Sequence, residues 1–317
     1  MREISFNKFY KSFNILSIVL IIGSLILLAL KGLNYGVDFK GGTLIELRTD
    51  LNSANIKKIR DSFNQLNLGD VSVKNFGNDT DFIIKFEKQN SNDPKFIDNI
   101  KTKLSGSIGT VDFRRVENVG PKVSAELLQS GVIAIALSLA AMLLYIWIRF
   151  EWQFSLGAIV ALFHDVIITL GVFSLFSLEI NLSIVAAVLT IVGYSMNDTV
   201  VIFDRVRENL RKFSDIKIFE LTNISINQTL SRTIITSATT LLALLSIFIF
   251  GGEILKGFSL AMILGVIFGT YSSIYIANPI LVILKVSQRT IVSTAATIDK
   301  FISNEKREKT PSVITTS

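Results

Sequence analysis

Six apolar runs, each long enough to cross a bilayer as a helix, govern what this chain can become. The hydrocarbon core is about 30 Å thick and takes about 20 helical residues to span. The runs fall at approximately Phe13–Leu30, Leu128–Ile148, Phe154–Phe176, Leu182–Phe203, Thr233–Phe250 and Phe258–Leu284. A mean hydropathy of +0.51 and 50% hydrophobic residues agree with a membrane protein. The first run follows Arg2, Lys8 and Lys11, a basic start that resembles a cleavable signal, but no small-x-small site precedes Lys31. It is read as an uncleaved anchor.

The net charge of +6 belongs to membrane orientation rather than to nucleic-acid binding. Three Lys and Arg precede Phe13, one is Arg149, six lie in 204–232 and six follow Leu284, sixteen in all and on one side if the spans alternate. The short opposite loops hold only Lys256. The positive-inside rule then predicts that both termini are cytoplasmic.

The segment 31–127 between the first two spans switches to short periodic elements and is read as a folded domain. Gly42–Arg48, Val71–Phe76, Phe82–Phe86 and Thr110–Val116 read as strands, and Ser53–Leu66 and Pro94–Leu104 as helices. The order β-α-β-β-α-β is that of a small α+β ferredoxin-like domain. With no cysteine to form disulfides, it must stand on an ordinary apolar core. The divisions are thus 1–30, an amino terminus and first span; 31–127, an extracytoplasmic domain; 128–284, spans two to six; and 285–317, a tail expected to be disordered from Ser303. Within the third division, 204–232 is expected to be a cytoplasmic amphipathic connection lying against the membrane.

The fourth span contains Gly193-Tyr194-Ser195-Met196-Asn197-Asp198. An aspartate near a membrane helix centre costs about 2.5–3.5 kcal/mol to insert, so it is expected to face other helices or water and to have a task. Asp198 is the first candidate, with Thr190, Tyr194 and Asn197 on its face by three- and four-residue spacing. In the fifth span Thr233, Ser237 and Thr240 share a face; they can line a path to a carboxylate or close onto their own carbonyls. Arg232 either snorkels to the interface or pairs with Asp198.

His164-Asp165 lies midway through the third span, as relay or structural residues. Adjacent helical side chains point about 100° apart, so a dyad is not expected. A lone histidine without cysteine argues against a metal site. In the sixth span Ala261, Gly265, Gly269, Ser273 and Ala277 repeat every four residues, a stripe suited to close helix packing, and Pro279 should loosen the following turns. Gly36, Asp38, Gly41 and Gly42, where the outer domain begins, suit an unusual backbone path.

Four segments together resemble the SecF branch of the SecD/SecF family, in the resistance-nodulation-division superfamily: Gly36–Gly42, His164-Asp165, Gly193–Asn209 and Arg232–Thr240. The resemblance implies a non-enzymatic subunit of the bacterial inner membrane that uses the proton motive force to promote protein translocation. The 31–127 domain would then be periplasmic. It implies as partners SecD, the SecYEG channel and an unfolded exported chain, besides the bilayer. It implies that Asp198 carries protons, that Arg232 stands near their path, and that no cofactor is needed. A carboxylate beside hydroxyls suits H⁺ or Na⁺ alike. Two rival readings remain. An intramembrane aspartyl protease would use Asp165 and Asp198, though neither sits in a Gly-x-Gly-Asp setting; a stand-alone exporter of small apolar molecules would need a roomier outer domain.

Overall fold

The computed structural model describes residues 4–50, 55–66, 68–69, 71–76, 78–87, 94–213 and 216–288. The tail expected to be disordered lies outside them. A 3₁₀ turn, Phe6–Phe9, leads into α1 (Tyr10–Leu30), followed by β1 (Asn34–Tyr35) and α2 (Val37–Lys40). The outer domain then runs β2 (Gly42–Thr49), α3 (Ile56–Asn64), β3 (Val71–Phe76), β4 (Asn78–Phe86), α4 (Pro94–Ile108) and β5 (Val111–Val119). After it come α5 (Pro121–Arg149), α6 (Trp152–Leu175), β6 (Glu179–Ile180), α7 (Leu182–Lys212), α8 (Ile218–Phe250), α9 (Gly252–Ser272), a π-helical turn (Ser273–Ala277) and α10 (Asn278–Ile283). Among the described residues, six helical stretches are long and apolar enough to cross a membrane: Phe6–Leu30, Lys122–Arg149, Trp152–Leu175, Leu182–Lys212, Ile218–Phe250 and Leu255–Ile283.

The outer sheet has the order β3-β4-β2-β5, every pair antiparallel. Its period-two pattern sends Ile45, Leu47, Val73, Phe82, Ile84 and Phe86 to one face, where α3 contributes Ile59 and Phe63 and α4 contributes Ile100 and Leu104. Asn55 starts α3 by accepting from the backbone N–H of Lys57 and Lys58. The opposite face carries Leu44, Glu46, Ile83, Lys85, Arg115 and Glu117, which overlook a cavity of about 630 Å³ between the sheet and the end of the bundle.

Three contacts mount this domain. β1 pairs in parallel with β6, Lys85 forms an ion pair with Glu179, and the Leu182 N–H donates to Asp38 Oδ2 at 2.9 Å. Gly41 and Gly42 turn the chain at φ of +80° and +129°, conformations that side chains disfavour. A Cβ on Gly42 would also come within 2.6 Å of the Phe86 carbonyl oxygen. The glycine segment therefore locks the domain's first strand to the loop that begins α7.

Within the bundle, α6, α7 and α9 form the centre. Gly265 lies against Ile191 and Gly269 against Ser195, so the small-residue stripe brings α9 onto α7 as its spacing suggested. By contrast, α1 buries only Tyr10, Ser17 and Ser24, one residue in seven, and leaves Ile15, Ile18, Val19, Ile22 and Ile26 exposed. The π turn falls just before Pro279, whose missing N–H cannot bond the preceding turn. Asn278 Nδ2 donates instead to the Ser273 carbonyl at 2.7 Å.

One expectation needs correction. Residues 204–232 are not a separate connection lying along a surface: α7 continues to Lys212 and α8 begins at Ile218, so the two spans simply extend into a helical hairpin. Asn209 bridges it by donating to Ser225 Oγ at 2.8 Å and Gln228 Oε1 at 2.9 Å. The charges read as a surface face instead support helix continuation, because Glu208 pairs with Arg205 and Lys212 at three- and four-residue spacing.

Candidate functional site

Asp198 projects from α7 into the seam between α8 and α9 and is only 4% exposed. Its Oδ2 accepts from Thr270 Oγ1 of α9 at 3.2 Å and, more weakly, from Ser237 Oγ of α8 at 3.4 Å. Ser237 and Thr270 are themselves 2.8 Å apart. One carboxyl thus gathers three spans around a small polar cluster, and its protonation state decides how many donors that cluster can satisfy. The close approach of α9 that makes this possible comes from Gly269, one residue before Thr270.

The other fifth-span candidates divide. Thr233, one turn before Ser237, is buried, and its Oγ1 has no hydrogen-bond partner among the described residues. Thr240 bonds to Tyr194 Oη at 3.2 Å, on the far side of the cluster from Thr233 in chain order. Arg232 is exposed and within electrostatic reach of Asp198 without a hydrogen bond to it.

The shared face expected for Thr190, Asn197 and Asp198 does not hold. Thr190 closes onto its own helix through Ala186 O, and Asn197 is exposed on the side of α7 that faces α5, beside Met142 and Tyr145. Adjacent helix positions diverge by about 100°, which takes Asn197 out of the seam that Asp198 enters.

His164 and Asp165 require the opposite correction. Both are buried, at 1% and 0% exposure, and His164 Nδ1 lies 2.8 Å from Asp165 Oδ1. The expected 100° divergence holds at Cβ, but the ring and the carboxyl turn toward each other through their χ angles. Asp165 Oδ2 also accepts from Ser195 of α7 at 2.5 Å and Ser272 of α9 at 2.8 Å. Among the described residues no hydrogen bond joins Asp165 to Asp198; each has its own partners, so they are not one two-carboxyl centre. No group of three or more His, Cys, Asp or Glu among the described residues could hold a metal ion.

Sequence reasoning missed five side chains of these two clusters: Ser17, Ser195, Thr270, Tyr271 and Ser272. The run Thr270-Tyr271-Ser272-Ser273 in the middle of the sixth span was a usable signal, since so many polar groups in a span need partners. Ser17 was hidden in a run treated as a plain anchor; its seven-residue spacing from Tyr10 and Ser24 marks the contact stripe.

Comparison with known proteins adds the family context. Residues 99–287 match the family model described as protein export membrane protein SecD/SecF, C-terminal, and residues 26–50 match the SecD/SecF GG motif. The chain is 46% identical to the protein translocase subunit SecF of Rickettsia bellii strain OSU 85-389 over 283 residues, covering 89% of this chain and 93% of that one. It also resembles the crystal structure of SecDF, a translocon-associated membrane protein from Thermus thermophilus, with a TM-score of 0.81 and 34% identity. That match covers 89% of this chain but 39% of the solved one, so the chain spans well under half of it. A crystal structure of SecDF in a super-membrane-facing form matches with a TM-score of 0.68 at 32% identity, covering 94% of this chain and 40% of the other.

Proposed function

The chain belongs to the SecD/SecF family of protein-export membrane proteins, as a polytopic member of the translocase-subunit kind, and we propose that it converts the proton gradient into movement that promotes export. The observation that carries this reading is Asp198, a buried carboxyl held by hydroxyls from two other spans. A charge there is costly unless balanced, whereas a proton delivered from one side and released to the other changes that balance once per cycle. Moving one charge through the membrane potential yields about 2.3 kcal/mol per 100 mV, enough to shift a two-state equilibrium about fiftyfold.

In this reading Ser237 and Thr270 hold the carboxyl, and Thr233 and Thr240 line the approach along α8. Arg232 stands near the path, where its positive charge attracts the charged carboxylate. The outer domain, ferredoxin-like by its strand and helix order and periplasmic by the charge bias of the loops, transmits the change. The β1–β6 pairing and the Asp38 contact tie it to the start of α7, the helix that bears Asp198. The partners are SecD, supplying the remaining spans of a two-part unit, and the SecYEG channel; the substrate is an unfolded exported chain. Both termini are cytoplasmic, and the membrane is the bacterial inner membrane. No cofactor takes part and no bond is made or broken. A protease reading is disfavoured because Asp165 and Asp198 keep separate hydrogen-bond partners.

The test uses vesicles containing this chain, its SecD partner and the channel, with the gradients collapsed separately. A protonophore is expected to remove the stimulation of export, and a sodium ionophore to leave it. The reverse pattern would assign Asp198 to sodium, and stimulation that survives both would end the motor reading.

A further inference from the structure

We propose that His164 and Asp165 hold one shared proton and form a second proton-holding site in the bundle, separate from Asp198. The argument is a count of donors. Tyr271 Oη lies 2.8 Å from the Phe13 carbonyl oxygen, which can only accept, so the one hydroxyl hydrogen of Tyr271 is committed there. Ser17 Oγ lies 2.7 Å from Tyr271 Oη, and with the tyrosine hydrogen spent, Ser17 must be the donor of that bond. Its only hydrogen is then used as well. Ser17 Oγ can therefore only accept from His164 Nε2, 3.2 Å away, and Nε2 bears a hydrogen.

The other ring nitrogen, Nδ1, faces Asp165 Oδ1 at 2.8 Å. Two arrangements satisfy that contact once Nε2 is protonated: an imidazolium donating to a carboxylate, or a carboxylic acid donating to a neutral ring. Both contain the same number of protons and no net charge. Neutrality is also what burial demands, since an isolated charge at this depth is far more costly than a paired or discharged one. The groups facing the pair are Ser17 of α1, Ser195 of α7, and Tyr271 and Ser272 of α9; the Tyr271 ring stacks on the imidazole with centroids 5.8 Å apart. None of them is a fixed charge.

The site has a mechanical reach of its own. Removing one proton would leave a single hydrogen on the ring; held at Nδ1 by the carboxylate, it would leave the Nε2 lone pair facing the Ser17 oxygen with no hydrogen between them. The seam between α1 and α6 would have to open, or its Ser17–Tyr271–Phe13 chain to reverse. At the other end, Ser195 stands three residues before Asp198 on α7, and Ser272 two residues after Thr270 on α9. Both proton-holding centres therefore grip the same pair of helices. A role of the pair in export rests on the motor reading above, whereas the proton count does not.

Because His164 is the only histidine in the chain, isotope-labelled histidine reports on it alone. Ring-nitrogen NMR of the full chain in bilayers at neutral pH is expected to show a one-bond hydrogen coupling at Nε2. Ser17→Ala, a small change that removes the acceptor, is expected to shift the Nε2 resonance and to move Nδ1 much less. A histidine protonated at Nδ1 alone would overturn the proposal, as would an Nε2 resonance unmoved by Ser17→Ala. Neither readout depends on export, so its failure is distinguishable from failure of the motor reading.

Discussion

Asp198→Asn is expected to abolish the gradient-dependent part of export while leaving a folded chain in the membrane. Asparagine keeps the size of the side chain and can still accept from Thr270 and Ser237, so the seam between α7, α8 and α9 retains its packing. What it cannot do is change charge. The bias of about fiftyfold per proton at 100 mV then falls to none, because a group with one protonation state gains nothing from the potential. Asn197→Ala is the matched control: that neighbour points out toward α5 and is expected to leave gradient-driven export unchanged. Export rates in vesicles with and without an imposed proton gradient would separate the two.

The second large effect is expected from Gly269→Leu. Even the Cβ of a side chain there would lie 3.1 Å from Ser195 Cα and Cβ, closer than ordinary van der Waals contact. Leucine must push α9 away from α7, and the displacement acts on both carboxyl centres at once. Ser195 donates to Asp165 on one side of the contact, and Thr270 donates to Asp198 on the other. Overpacking of this kind costs about 1–3 kcal/mol, a large share of a marginal stability. A lowered thermal midpoint of the purified chain in detergent and a severe loss of export are expected together. Gly23→Leu supplies the contrast, since a Cβ at that position of α1 meets nothing within 4 Å. If Gly269→Leu were as well tolerated as Gly23→Leu, the helix contact would have to be looser than described.

Much of the architecture was legible because bilayers and strands impose simple periods. Twenty apolar residues in a row, or alternation over six to eight, leave little choice of element, and the β-α-β-β-α-β order could be written from those alone. The candidate site was legible where cost was high, as for Asp198. It was illegible where a polar residue is cheap on paper. Serine and threonine in a span usually bond their own preceding turn, as Thr190 and Thr239 do here, so residue type alone did not distinguish Thr270 or Ser17 from them; only the polar run around the one and the seven-residue spacing of the other did. The His164–Asp165 contact was misjudged for a related reason: helical geometry fixes where Cβ points, but rotation about χ1 and χ2 decides where the polar atoms end. The extension of α7 and α8 past the span ends was obscured by charge, which suggested a surface before it suggested helical pairs.

The account rests on a buried acid that switches between charged and uncharged forms. Infrared difference spectra of the bilayer-embedded chain, taken as the pH is stepped, observe that switch directly through the carbonyl stretch of protonated carboxyls. The wild-type chain should show a band that rises and falls with the step, and Asp198→Asn should lack it while keeping the rest of the spectrum. A wild-type spectrum with no such change, or one that Asp198→Asn leaves intact, would contradict the account.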